Sequence, residues 1–195
     1  MTTYRRNIGE IVIAIASAPI TTGFSKGVEM DYQLFTKKLV LPAGFKAPAA
    51  LEYEELRAKP LSKADLDADL AAVNSSVDII HQSRGGTWPE GQITEAYNFQ
   101  DLVWHEREFR EGSSFAYVVY DADSRYIGCF YLNPMGHSGN LTEELARYDV
   151  DVDWWVTTDA YAQGYYQKLY SAVEAWLAKD FPFSNIHYAN ALLPD

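Results

Sequence analysis

"DVDVDWWVTTDAYAQGYYQKLYSAVEAWLAKDFPF", residues 149–183, decides the reading of the fold. It opens in strict alternation. Asp149, Asp151, Asp153 and Trp155 fall on one side of an extended chain, and Val150, Val152, Trp154 and Val156 fall on the other. That is the pattern of a β-strand. A turn follows, then a small-residue loop at Ala162, Gln163 and Gly164. A helix over 163–179 then packs through Leu169, Val173, Trp176 and Leu177. Strand, loop and helix N-terminus together present backbone N–H groups and a positive dipole end to a phosphate. Here the loop is poor in glycine and crowded by Tyr165 and Tyr166. Two readings stay open: a narrowed phosphate seat to which phenols donate, or the first core contacts of an amphipathic helix.

Working outward, SNIHYANAL (184–192) reads as a last strand. Upstream, SFAYVVYDADSRYIGCFYL (114–132) is two apolar runs around a polar turn at Asp121–Ser124, a hairpin. The helix before it, TEAYNFQDLVWHEREFREG (94–112), has Thr94 as cap and Gly112 as stop. Phe99, Leu102, Val103 and Phe109 form its expected apolar stripe. QSRGGTWPEGQ (82–92) is a Gly/Pro loop. A further helix over 63–74 starts from Ser62 and carries Leu66, Leu70 and Val73, with a strand at 51–59 before it. The order β, α, α, β, β, β, α, β predicts an α+β domain, one sheet carrying helices, over residues 51–195.

Residues 1–50 are expected to be an N-terminal extension, partly irregular. MTTYRRN followed by IVIAIASAP has the outline of a charged segment, an apolar run and a small-residue cleavage site. Glu10 interrupts that run and Pro19 directly follows Ala16-Ser17-Ala18. Residues 1–29 are therefore read as a poorly structured extension, with Met30 as a candidate start and the protein as cytoplasmic. The chain of 195 residues has a net charge of −11, which excludes the basic footprint of a nucleic-acid binder. The acidic excess lies in residues 61–195 and steers cations towards the body, or simply keeps it soluble. No apolar run approaches a membrane span. Cys129 is the single cysteine, in an apolar run that reads as a buried strand.

Three carboxylates on one strand face repel one another, so burial of any of them favours a raised pKa, as a base requires. The same face would equally serve as solvated surface. Same-face strand side chains diverge, so the row is not a metal site. His105-Glu106 lacks a histidine at position 109, which removes a zinc-protease reading, and His81, His137 and His187 have no ligand spacing. Ser113-Ser114 has no nucleophile-elbow context. Trp88 would line a substrate mouth or fold back on the core.

The element order, with WPEGQITEAYNFQDLVWHEREF (88–109) followed by FAYVVYDADSRYIGCFYLNP (115–134), resembles the GNAT acyltransferase superfamily over residues 51–190. The resemblance implies α/β/α layers around a central mixed, mostly antiparallel sheet. It implies acetyl-CoA as co-substrate and no metal, with Trp155, Val156, Thr157, Ala162, Gln163, Gly164, Tyr165 and Tyr166 at the cofactor. The family loop Q/R-x-x-G-x-G/A falls with its first position on Tyr161, its glycine on Gly164 and its second small residue on Tyr166, so only Gly164 matches. Asp151 falls where the family commonly has a catalytic carboxylate, and backbone N–H groups of that strand would stabilise the oxyanion. Trp88, Asp149 and Asp153 would meet the acceptor. The family continues past its fifth strand into a region that supplies a tyrosine acid, and this sequence ends soon after its own last strand. The implied function is acetyl transfer to a primary amine of a small cationic or peptide acceptor. The alternative is an inactive CoA-binding or regulatory module, with a homodimer as one form.

Overall fold

A computed structural model describes residues 37–137 and 140–194, all within one unit. The expectations for residues 1–29, Met30 included, lie outside the described residues. In chain order the elements are β1 (Leu51–Tyr53), β2 (Leu56–Pro60), α1 (Leu66–Asn74), α2 (Val77–Arg84), α3 (Glu95–Glu111), β3 (Phe115–Tyr120), β4 (Tyr126–Asn133), β5 (Val150–Val156), α4 (Thr158–Ala162), α5 (Tyr165–Asp180) and β6 (Ile186–Tyr188). The strands form one sheet in sequential order. Every neighbouring pair is antiparallel except β5 with β6, which is parallel. This is the α+β, mixed and mostly antiparallel sheet expected.

The alternation of β5 divides the core into two layers. Val150, Val152, Trp154 and Val156 join Leu169, Val173, Trp176 and Leu177 of α5 on one face. Trp154 stacks on Tyr166 and Tyr170, and Phe130 stacks on Trp176. Trp155, Cys129 and Tyr131 join Val73 of α1, Ile80 of α2 and Leu102 of α3 on the other face. Helices thus cover both faces. Residues 37–50 have no helix or strand, yet Leu39 is buried and Phe45 packs on Phe115 and Phe181.

Several local expectations hold for the stated reasons. Ser62 accepts from the Ala64 N–H and forms a capping box with Asp65, and Thr94 caps α3. Gly112 ends α3 at φ +67°, in the left-handed region. The hairpin turn closes on Asp121, whose carboxylate accepts from the Asp123 and Arg125 N–H groups.

Others are corrected. The strand read over 51–59 is a hairpin, turning at Glu54 with φ +49° and pairing Leu51 with Ala58. Gln82–Arg84 close α2 instead of opening the loop. The helix read from 163 is preceded by α4 and starts after Gly164. On α3, Asn98 and Leu102 point inward, while Phe99 and Val103 are exposed. The inward face runs 98, 102, 105, 109 at helical steps, so Leu102 and Phe109 of the expected stripe lie on it, and hydropathy alone misses its two polar members, Asn98 and His105. Similarly Asp65 and Asp69 are buried where Leu66 and Leu70 were expected.

Asp69 accepts from the Tyr126 hydroxyl, which also lies 3.0 Å from Cys129 Sγ. Burial raises the Asp69 pKa above its ordinary 3.8, and the Tyr126 hydrogen bond offsets only part of that. The folded state therefore binds this proton more tightly than the unfolded chain, and stability falls as pH rises from 3.8 through the raised value. Asp69→Asn keeps the acceptor oxygen and cannot ionise. Thermal melts across this window should show the variant gaining on the wild type as pH rises.

Gly128 on β4 lies opposite Val156. A Cβ there would stand 2.0 Å from the Trp155 carbonyl oxygen and 2.7 Å from Val156 Cα.

Candidate active site

β5 and β6 pair only from Val150 to Val152, after which the Ala189 N–H still reaches the Val152 carbonyl at 2.8 Å. There β6 leaves the sheet. The next outward backbone pair on β5 belongs to Trp154, and Asn190 takes both groups. The Trp154 N–H donates to Asn190 Oδ1 at 3.1 Å, and Asn190 Nδ2 donates to the Trp154 carbonyl at 2.8 Å. One side-chain amide thus stands in for a strand. The chain then crosses to α2, where the Ala191 and Leu192 N–H groups satisfy the Arg84 and Ser83 carbonyls left over at the helix end.

The opposite face of β5 carries the aspartate row. Asp149, the exposed member, accepts from the Ser184 and Asn185 N–H groups at 2.8 and 2.9 Å and ties down the entry to β6. Asp151 Oδ1 lies 2.8 Å from His187 Nδ1 on β6. Burial holds the Asp151 carboxyl above the usual value, with His187 pulling part of that shift back. Asp153 is buried and accepts from Arg84 Nε at 2.6 Å, with Asn133 Nδ2 at 3.4 Å. Burial opposes the Arg84 charge, but Asp153, Tyr131 and Asp101 together keep its pKa above the ordinary value.

Trp88 comes to this cleft through its loop. The Asn74 side chain accepts from the Ile93 N–H at 2.7 Å and donates to the Ile93 carbonyl at 3.0 Å, which pins the far end of the loop. The Trp88 ring lies 6.5 Å from Trp155 and 5.2 Å from the Arg84 guanidinium. Trp155 itself is fully buried, with Nε1 donating to the Tyr131 hydroxyl at 3.1 Å.

Beyond β5, Thr157 caps α4 and Gly164 stands at the α5 N-cap with φ +82°. No side chain caps α5, and a Cβ added at Gly164 would meet nothing within 4 Å. Ala162, Gln163 and Gly164 are exposed. Arg125 reaches Gln163 Oε1 at 2.8 Å, and the Arg125 and Lys168 cations lie 5.2 and 5.5 Å from the Tyr165 ring centre. This end of the helix offers a phosphate its dipole and the open space at Gly164, while the two nearby cations are already paired, Arg125 with Asp121 and Lys168 with Glu54 and Glu55. Tyr166 does not contribute a phenol to it. Its hydroxyl donates to the Leu192 carbonyl at 2.6 Å and receives from Asn190, and burial raises its pKa to about 12.

Asp153 and Trp88 thus meet through Arg84, Asp151 pairs with His187 further along the same strand face, and Gly164 and Tyr165 stand past the other end of β5. Asp149 and Tyr166 are engaged in holding the fold. Sequence reasoning missed Arg84, Tyr131, Asn133, His187 and Asn190. For His187 a signal existed, since a histidine on the strand beside an aspartate row falls on the same face when the two strands pair. Asn190 carried none. Among the described residues no group of three His, Cys, Asp or Glu could hold a metal ion, and no helix is long and apolar enough to cross a membrane.

Comparison with known proteins bears on the family and the fold. Residues 55–191 match the family model described as acetyltransferase (GNAT) domain. No curated protein matches the sequence. Among solved structures, RimL, a ribosomal L7/L12 alpha-N-protein acetyltransferase in complex with coenzyme A, has 13% identity and a TM-score of 0.53 over 68% of this chain and 70% of its own. The microcin C7 self-immunity acetyltransferase MccE, in complex with acetyl-CoA and AMP, has 9% identity and a TM-score of 0.52 over 69% and 71%. The ribosomal-protein-S5-alanine acetyltransferase from Vibrio fischeri has 12% identity and a TM-score of 0.50 over 68% of each chain. These likenesses are of fold; the match of the family model over most of the described residues carries the assignment, and the chain belongs to the GNAT acetyltransferase family.

Proposed function

We propose that the protein is an acetyl-CoA-dependent N-acetyltransferase acting on the primary amine of a small acceptor or a peptide. The observation that carries this reading is the Asp151–His187 pair, 2.8 Å apart across the β5–β6 ladder and beside the point where the two strands part. Acyl transfer to an amine needs the ammonium to lose a proton before the nitrogen attacks. Asp151 and His187 together offer an acceptor for that proton in a partly buried setting. Asp149 and Asp153 are already bonded within the protein, so a funnel of three free carboxylates is not what the acceptor would meet. Bound acetyl-CoA supplies the acetyl carbon and takes the electron pair of the broken C–S bond as thiolate. The amides of Tyr165 and Tyr166 at the α5 N-terminus are the groups that would hold its phosphates, with Arg125 and Lys168 joining them on exchanging Asp121 and Glu55 for phosphate oxygens.

A second reading, an inactive CoA-binding or regulatory module, has a specific observation in its favour. The Trp154 N–H, the kind of strand amide an oxyanion would use, is bonded to Asn190, and the Tyr166 ring is stacked against Trp154. Thiol release from acetyl-CoA with a panel of primary amines separates the two. Release supports the enzyme, and binding without release supports the module.

The phosphate seat has its own test. At a hundredfold excess over Kd, CoA should stabilise the wild type by about 2.7 kcal/mol. Gly164→Val puts a β-branched side chain into the open space before the helix, at a φ of +82°. Measured against the variant's own melting temperature, the CoA shift should vanish. An undiminished shift would take α5 out of the cofactor site.

A further inference from the structure

The cleft on the aspartate face contains a cation with unused donors. Arg84 Nε donates to Asp153 at 2.6 Å, and the guanidinium lies between the Trp88 and Tyr131 rings at 5.2 and 5.1 Å. The two rings and Asp153 fix its position. Yet among the described residues nothing accepts from Nη1 or Nη2, and both belong to a residue lining a cavity of 220 Å³. The Arg84 side chain is a quarter exposed, so these donors are open to a ligand, and a planar guanidinium fork matches a carboxylate in two parallel bonds.

The same cavity has a second unpaired group. His105 Nδ1 is buried and bonded to nothing, while Nε2 of that ring lies 3.5 Å from Asp101. Asn133, which lines the cavity with Arg84, stands opposite Asp151 in the β4–β5 register, so the Asp151–His187 pair lies next along the strand from the cavity wall. Asp151 and Asp153 are two residues apart, about 7 Å along the strand. An α-amino acid spans that interval when its two charged ends hydrogen-bond outward. The volume equals roughly seven waters at about 30 Å³ each, enough for one small molecule.

We infer that the acceptor is a small free amino acid, its carboxylate docked on the Arg84 fork and its amine directed at Asp151 and His187. This rests on the acetyltransferase reading and deepens it. A peptide N-terminus lacks a carboxylate beside its amine, and a simple alkylamine would leave the fork unpaired.

The test uses the full chain and needs no variant to decide it. Thiol release from acetyl-CoA is measured with alanine, alaninamide and ethylamine. Alanine should exceed both others in kcat/KM by about 10²-fold or more, because a site built to pair a charged group rejects analogues lacking it. Equal or faster turnover of alaninamide and ethylamine would overturn the inference while leaving acetyl transfer in place. Calorimetry with N-acetylalanine and N-acetylalaninamide reads the subsite without turnover. Preference for the acid, falling towards unity in Arg84→Lys, upholds it. That variant keeps a charge beside Asp153 and loses the fork. If no amine releases thiol, the acetyltransferase reading falls and the calorimetry stands alone: equal affinity, or none, for the acid and the amide overturns the carboxylate site.

Discussion

Asp151→Asn should lower turnover at neutral pH by about 10²–10⁴-fold, the usual size of a general-base contribution. The amide keeps the shape of the carboxylate and cannot take a proton. It also alters the bond to His187 Nδ1, so His187→Gln is the partner experiment. A comparable loss in both variants means the pair acts as one unit; a loss in Asp151→Asn alone puts the proton on the carboxylate. CoA affinity should be unchanged, since Gly164 and the α5 N-terminus lie past the other end of β5. Raising the pH should restore part of the activity of Asp151→Asn, because more of the acceptor is then neutral without help. In the wild type, burial raises the Asp151 pKa, so activity should fall on acidification at a pH above the ordinary carboxylate range. Full activity in both variants would leave the pair without a part in proton transfer and favour the binding module.

Gly128→Ala should cost about 4 kcal/mol or more, the range reserved for changes the fold cannot absorb. The added methyl would stand 2.0 Å from the Trp155 carbonyl oxygen, a backbone atom in the middle of the sheet. Neither β4 nor β5 can yield without breaking their ladder from Gly128–Val156 to Asn133–Asp151. At about 2–4 °C per kcal/mol for a domain of this size, the melting temperature should fall by about 10 °C or more, with a loss of soluble protein. Gly164→Ala is the contrast. Its Cβ meets nothing within 4 Å, so only the left-handed φ of +82° is penalised, about 1–2 kcal/mol. Similar melting temperatures for the two variants would show that β5 can move away from β4.

The hairpin, the α3 caps, the β5 alternation and the α5 core face were all legible because each is a local pattern in sequence. α2 was not. Its eight residues, Val77–Arg84, hold one fully buried apolar side chain, Ile80, and run straight into Gly85-Gly86, so loop composition outweighs period. The β1–β2 hairpin turns at Glu54, a residue with no turn signature. Asp151 was legible as a candidate, since its strand position and face follow from alternation. What Asp149 and Asp153 bond to was not, because Ser184, Asn185 and Arg84 lie 35, 36 and 69 residues away in sequence. Tyr166 shows the limit of a loop motif. Its position in the first turn of α5 suited a phosphate, and its hydroxyl instead bonds carbonyls brought from two other segments.

The stretch after β6, with Asn190 on Trp154 and Leu192 on Ser83, also bears on the order in which the molecule assembles. β3, β4 and β5 can zip from their turns, but α2 receives its closing hydrogen bonds only when residues from the far end of the domain arrive. Tyr166 reaches the same Ser83 carbonyl across 83 residues. Closing such long loops is entropically costly, and contacts of that separation form late. A refolding chain should therefore possess its sheet before Arg84 is held at the rim of the cleft. Ligand recognition becomes the final property the protein acquires, and the first to go when residues 189–192 fray.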